Sequence, residues 1–460
     1  MIQIFRVFAV AALIAYELPG LAAPALPPGL ESMTKSQVPA LPPGLEINDP
    51  DTTETQLEPA PSISPWSLNG FGESRIGSRT RQDPDQKSNS IAEGRMRLSA
   101  DYAGEVVGAN LTADLLADTV ADSGHVSLNR GTGWLDLREA WVQMSLSNYA
   151  DMKVGRQVLT WGVGDLVFIN DLFPKDWHSF FIGRDTEYLK APSDALKLAF
   201  YFEPANLDVV YVPRADMDRF IDGSRLSFYN PVLGKSTGRS DPITAVRPGH
   251  HELSLRLHRN VSSFEYALYA YDGFWKSPAG FDPEDGRFTF PQLRVLGASL
   301  RGSFMGGIVS GELGFYDSRD DSDGSDPLVN NSESRLLLGY ERELVSNLSA
   351  GFQVYLERIE DYRAYRSTLP IGAVARDEIR RLFTTRLTWL AMNQNVTTSL
   401  FIYLSPTDDD WYARSSVSYK VNDRLMLAFG VNHFGGDTNT SFFGQFKTAS
   451  NVYAALRYSY

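Results

Sequence analysis

The feature that most limits what this chain can fold into is a period of two in its hydrophobicity, kept from about Trp66 to the last residue. In the closing stretch from Ala449 to Tyr460, residues Val452, Ala454, Leu456, Tyr458 and Tyr460 share one face, and Asn451, Tyr453, Arg457 and Ser459 share the other. That is the pattern of a strand standing between an apolar and a wet phase. The same dyad returns upstream. Met96, Leu98, Ala100 and Tyr102 oppose Arg95, Arg97, Ser99 and Asp101, and Phe352, Val354 and Leu356 oppose Gln353, Tyr355 and Glu357. No internal apolar run reaches the roughly 18 residues of a spanning helix, and no long stretch keeps a 3.6-residue period.

A soluble sandwich and a membrane barrel share this alternation, and the connections separate them. Very short turns (Gly104, Ser147-Asn148, Pro204-Ala205, Arg259-Asn260, Gly306-Gly307, Ser346-Asn347, Asn393-Gln394, Asn422-Asp423) alternate with longer polar ones. The longer ones include 79–90, 119–133, 162–193, 215–247, 273–291, 318–332, 361–377 and 435–447, with a short outer turn at 408–410 as the exception. A sandwich has no reason to sort its loops by length, whereas a barrel whose rims face different compartments does. The expectation is an all-β fold over 65–460: a transmembrane antiparallel β-barrel of about 18 strands, even in number, with an inward-folded third outer loop. Closure leaves no unpaired strand edge inside a bilayer. Aromatics near strand ends, such as Trp66, Tyr102, Trp389, Tyr458 and Tyr460, would form interfacial girdles.

The two segments before the barrel have different compositions. Residues 1–22 carry one basic residue, Arg6, an apolar run from Val7 to Tyr16 and the small-residue context Gly20-Leu21-Ala22, the pattern of a secretory signal peptide. Residues 23–64 are rich in Pro, Glu, Ser and Thr and hold the string PALPPGLE twice, at 24–31 and 39–46. Such a segment is expected to be a disordered, extended periplasmic linker. Alternatively, the doubled Pro27, Pro28, Leu30 and Pro42, Pro43, Leu45 form a bivalent docking peptide for a periplasmic protein.

A formal charge of −13 excludes general nucleic-acid binding. The absence of Cys excludes disulfides and CxxC metal sites, and the six His have no ligand spacing, so no cofactor and no metal is expected. No GxSxG, HExxH or P-loop string is present, and the expectation is that the protein is not an enzyme.

On the wet face sit Arg95, Arg97, Lys197, Arg256, Arg301, Arg386, Arg414, Lys420 and Arg457, interleaved with Asp114, Glu139, Glu252, Glu312, Glu341 and Glu357. Rings of charge in a pore set ionic selectivity; equally, opposite charges pair across a lumen and satisfy a polar interior. Arg156 shares the phase of Val154 and Val158 and reaches the lumen only through a bulge. The third long loop carries Leu166, Val167, Phe168, Ile169, Phe173, Trp177, Phe180 and Phe181, too apolar for an exposed tip. Folded inward, it would narrow the channel with Asp171, Lys175, Asp176, Arg184, Asp185 and Lys190; an outward recognition surface or a plug are the other readings. Acids gather at other loop tips, including Asp320, Asp321 and Asp323, as solvated loop tips or as ligands for divalent cations bridging lipopolysaccharide.

The stretch LREAWVQMSL (137–146) followed by VGRQVLTWG (154–162) resembles alginate-export-type and related outer-membrane porin families of Gram-negative bacteria, in which an E-A-W/Y strand, a G-R-Q strand and an inward loop follow in that order. The resemblance implies an 18-stranded outer-membrane barrel over 66–460 and carries over Glu139, Gly155, Arg156, Gln157 and Gly162 as pattern positions. The terminal aromatic strand resembles the signal read by the barrel-assembly machinery, which makes that machinery, outer-membrane lipid and lipopolysaccharide the expected partners. Two functions follow as expectations. One is a porin-like channel passing small or anionic solutes through a charged lumen constricted by 162–193. The other is a dedicated export or assembly barrel that docks a periplasmic partner through the Pro-rich repeats.

Overall fold

The computed structural model describes residues 64–121, 124–370 and 373–460. The expected signal peptide, and the linker up to its last residue, lie outside the described residues, as do the two PALPPGLE strings. The described chain forms one 18-stranded antiparallel sheet that closes on itself. Trp66–Arg79 pairs along one edge with Asn89–Ala103 and along the other with Asn451–Ser459, so the first strand seals the last. At that seam Glu73 is the register partner of both Arg95 and Arg457, which sets an acid between two bases on the inner face.

Alternation decides the two faces as expected. Leu98, Leu111, Leu338, Phe352, Phe429 and Leu456 are exposed on the outside of the wall, while Arg95, Asp114, Gln353, Glu357, Tyr412 and Tyr453 are buried inside it. Trp66, Trp389, Tyr458 and Tyr460 are exposed near strand ends on the rim of short turns, where amphipathic rings sit well at a membrane interface. No helix among the described residues is long and apolar enough to cross a membrane, and the crossing elements are the strands.

The connections sort by length as the sequence suggested, with three short turns displaced: two by one residue, to Met305-Gly306 and Asn148-Tyr149, and one by three. Val261 pairs with Phe264, so that hairpin turns at Ser262-Ser263 and Arg259-Asn260 belongs to the strand Glu252–Val261. A bulge occurs on a neighbouring strand instead of at Arg156. In Leu135–Ser147, Glu139 pairs with Thr112 and Leu137 with Ala113, leaving Arg138 as the extra residue. A bulge re-aims side chains, and here Arg138 joins Asp136 on the buried inner face.

A basic residue on the outer belt should destabilise the barrel while one inside should not. Leu338→Arg, in mid-strand facing lipid, is expected to lower folding free energy by roughly 2–4 kcal/mol, and Ser310→Arg, on the inner face, by less than about 1 kcal/mol. Urea unfolding in lipid vesicles, followed by heat-modifiable gel mobility, measures both; equal losses would contradict the assigned faces.

Candidate functional site: the inward segment

Residues 159–191, between the strands Ala150–Val158 and Pro192–Tyr201, run into the barrel and are bonded to the inner wall along their length. Glu312 is the first anchor. Its carboxylate accepts from the backbone N–H of Val163 and of Gly164 (2.6 Å), and from both the backbone and side-chain amides of Asn170 at 3.0 Å. Gln353 then brackets Asp165, accepting from its N–H and donating to its carbonyl, each at 2.8 Å. Arg386 pairs with the Asp165 carboxylate, and the hydroxyls of Tyr403 and Tyr316 donate to the carbonyls of Leu166 and Ile169. An irregular backbone inside a closed barrel has unpaired peptide groups, and these polar side chains satisfy them.

The middle of the segment is held by rings. A short helix, Trp177–Ile182, starts at Asp176, whose side chain accepts from Ser179 N–H at 2.8 Å, and ends at Gly183 in the left-handed region (φ 91°). That ending needs glycine twice over, because a Cβ there would lie 2.3 Å from the Tyr453 ring. The helix inserts Phe180 and Phe181 among Tyr403, Tyr412, Phe434 and Phe446, with the Phe181 and Phe434 centroids 5.2 Å apart and edge to face. Arg414 donates to the carbonyls of Arg184 (2.6 Å) and Phe180, and Asn451 donates to that of Phe181.

The far end closes over the basic side of the wall. Arg75 and Arg457 both reach Asp185, Arg184 pairs with Glu93, and Arg138 donates to the Lys190 carbonyl at 2.6 Å. Tyr188 lies under Arg95, whose guanidinium is 4.1 Å from the ring centroid, and near Arg97 at 4.9 Å.

The expected inner-face bases divide by role. Arg95 and Arg97 share Asp114, Arg256 bonds Glu265 and lies near Asp208, and Lys197 lies 3.7 Å from Asp208. Arg301 and Lys420 are exposed, with Arg301 beside Glu341 and Arg386 in a cavity of about 310 Å³ on the short-turn side of the segment. Arg156 stands apart from these. It keeps the phase of Val154, pairs with its register partner Asp194 at 3.0 Å and donates to the Leu137 and Leu128 carbonyls, so it braces the outer end of the wall.

Of the six charged residues expected to point into a channel from this loop, Asp171, Lys175, Asp176 and Arg184 are buried as fasteners. Lys175 bonds Asp171 and the Phe173 carbonyl, and Asp176 faces Arg219. Asp185 and Lys190 keep partial exposure. Sequence reading also placed all of 215–247 among outer loops. The structure brings Arg219 to Asp136 (2.7 Å) and Arg225 to the Ser90 carbonyl and Asp118, so a second connection folds in behind the first. Glu312, on the inner face by phase, gave no sign in the sequence of binding a segment 142 residues away.

No protein-family model matches the sequence, and no curated protein matches it. Among solved structures it is similar to OccAB4 of Acinetobacter baumannii (TM-score 0.52, 9% identity, covering 88% of this chain and 100% of that one). It is also similar to OccK5 (OpdH) of Pseudomonas aeruginosa (TM-score 0.50, 10% identity, 86% and 97%) and to OccK3 (OpdO) of the same organism (TM-score 0.50, 11% identity, 86% and 96%). With the apolar outer belt and the closed sheet, these likenesses define the class: a transmembrane β-barrel that shares its fold with these proteins.

Two measurements test the anchoring. Replacing Glu312 with Ala removes charged hydrogen bonds of about 1.5–3 kcal/mol each, so the amides of Val163, Gly164 and Asn170 should exchange roughly 10- to 100-fold faster while wall amides keep their protection. Unchanged exchange at those amides would rule Glu312 out as the anchor. The second concerns pH. Burial alone would push the Asp185 carboxyl up, but the Arg75 and Arg457 guanidiniums outweigh it and hold it below the usual carboxylate range. A depressed pKa contributes stability that is fully present above the ordinary value of about 3.9 and is lost as pH falls through the lower folded value. Protection at Gly183 to Asp185, taken relative to the intrinsic exchange rate at each pH, should therefore be flat from pH 8 to about 4 and fall only below that; a loss of protection near pH 6 would contradict the pairing.

Proposed function

We propose that this barrel is an outer-membrane channel through which small solutes diffuse, anions preferentially, with 162–193 setting the size limit. The observation that carries the anion preference is which member of each ion pair meets water. Asp114 is 0% exposed against 17% for Arg97, and Glu333 is 2% exposed against 46% for Arg376. Glu73 with Arg457, Asp208 with Lys197, and Glu252 with Lys276 repeat the order. Arg386 with Asp165, Arg97 with Glu187, Arg75 and Arg457 with Asp185, Arg256 with Glu265, Arg380 with Asp408 and Arg156 with Asp194 run the other way. Neutral pairs turned with the base outward present a positive face to a solute, and Arg301 adds a cation exposed in the cavity beneath the segment. In this reading the short-turn rim, where Trp66–Arg79 begins, faces the periplasm, and the Pro-rich stretch lies on that side. The export reading rests on the doubled PALPPGLE, outside the described residues.

Single-channel recording in planar bilayers under a salt gradient tests the proposal. Steady conductance with an anion-selective reversal potential is expected. Arg301→Glu should move that potential towards cation selectivity at similar conductance, and deleting 168–184 should raise the conductance. A closed barrel that passes no current, or selectivity indifferent to Arg301→Glu, would overturn it.

A further inference from the structure

The stretch Val163 to Val167 forms a strut across the interior, with the polar cavity of Arg301 and Arg386 on one side and a second cavity of about 370 Å³ on the other. The second cavity is walled by rings, among them Trp177, Phe180, Trp275, Tyr316, Tyr355 and Tyr403. The cations at its margin are nearly all engaged. Lys175 is bonded to Asp171, Lys276 to Glu252 at 2.6 Å, and Arg335 to Glu333 at 2.6 Å while lying 4.0 Å over the Tyr316 ring. Arg380 differs. Its Nε donates to Asp408 at 2.6 Å, but its Nη2 is buried with no hydrogen-bond partner. The strut itself is bent where it borders this space: Leu166 has φ 58°, a conformation that non-glycine residues seldom adopt, and its carbonyl is held by Tyr403.

A concave site of this size, lined by rings and holding one unpaired charged donor, is complementary to a particular kind of molecule. Ring faces stack on flat apolar surfaces, and a buried guanidinium N–H without an acceptor is stabilised by a ligand oxygen. We infer that the ring-walled cavity binds a flat, ring-bearing solute whose oxygen acceptor meets Arg380, and holds it against the Leu166 strut. This deepens the channel reading by naming a solute class, and binding is measurable without transport.

The test is calorimetric titration of the full-length protein in detergent, with micelle blanks, using cinnamyl alcohol, cinnamate and acyclic hexanoate as probes. At least one ring probe should bind at least about tenfold tighter than hexanoate; binding of both ring probes indicates a neutral oxygen acceptor, and of cinnamate alone a carboxylate. Ala279→Trp, which fills the cavity from its margin, and Arg380→Met should each weaken that binding about tenfold, the scale of one charged hydrogen bond, with heat-modifiable mobility showing the barrel intact. Ring probes that bind no better than hexanoate, or an intact Ala279→Trp barrel that titrates like the wild type, would overturn the site. Ring binding in a protein that conducts no current would instead overturn the channel reading and leave the site standing.

Discussion

Glu312 is the contact on which the interior depends. A closed barrel satisfies the backbone of its own strands, but a connection that turns inside it has no strand partner for its N–H groups. One carboxylate takes up those of Val163, Gly164 and Asn170 at once, fixing where the connection leaves the wall. Gln353, Tyr403, Arg414 and Asn451 then receive the following peptide groups in order around the inner face. The rings of Phe180 and Phe181, further along the same segment, are buried among wall aromatics.

The same economy explains the charges. In the interior most acids lie deep, with the bases over them, so that a guanidinium can bond a carboxylate below while keeping part of its planar fork near open space. Arg95 and Arg97 also lie over the Tyr188 ring, which makes the connection and the basic wall one packed unit. The strut that results splits the interior into a ring-walled space and a polar one, two environments that a solute would meet in sequence.

Much of this wall is written locally. The dyad of Arg95, Met96, Arg97 and Leu98 states which face is wet, because neighbouring side chains of a strand must point apart, and the loop lengths state which rim is which. The apolar content of 162–193 likewise pointed inward, beside an outward recognition surface or a plug, and the burial of Ile169, Phe180 and Phe181 inside the wall is what decides it. What could not be read is pairing across distance. Glu312 and Asn170, or Arg457 and Asp185, are brought together by closure of the barrel, and no spacing in the sequence records it. That is also why Lys175 and Asp176 looked like channel-facing charges although Asp171 and Arg219 bury them. The bulge that Arg156 would have needed to reach the lumen lies instead in the preceding strand, at Arg138, because register is a property of two strands and the alternation of one does not contain it.

The central claim, that the inward segment is fastened to the inner wall, has a direct chemical test in a chain with no native Cys. A Cβ placed on Gly314, in the strand Gly307–Ser318, would lie 2.6 Å from Cγ2 of Ile169, so Ile169→Cys with Gly314→Cys should pair. Mass spectrometry of the doubly substituted barrel, folded under mild oxidation and then alkylated, reads the outcome. The account predicts an intramolecular disulfide in nearly every folded molecule. Two freely alkylated thiols in a heat-modifiable barrel would show that the segment does not rest against this wall.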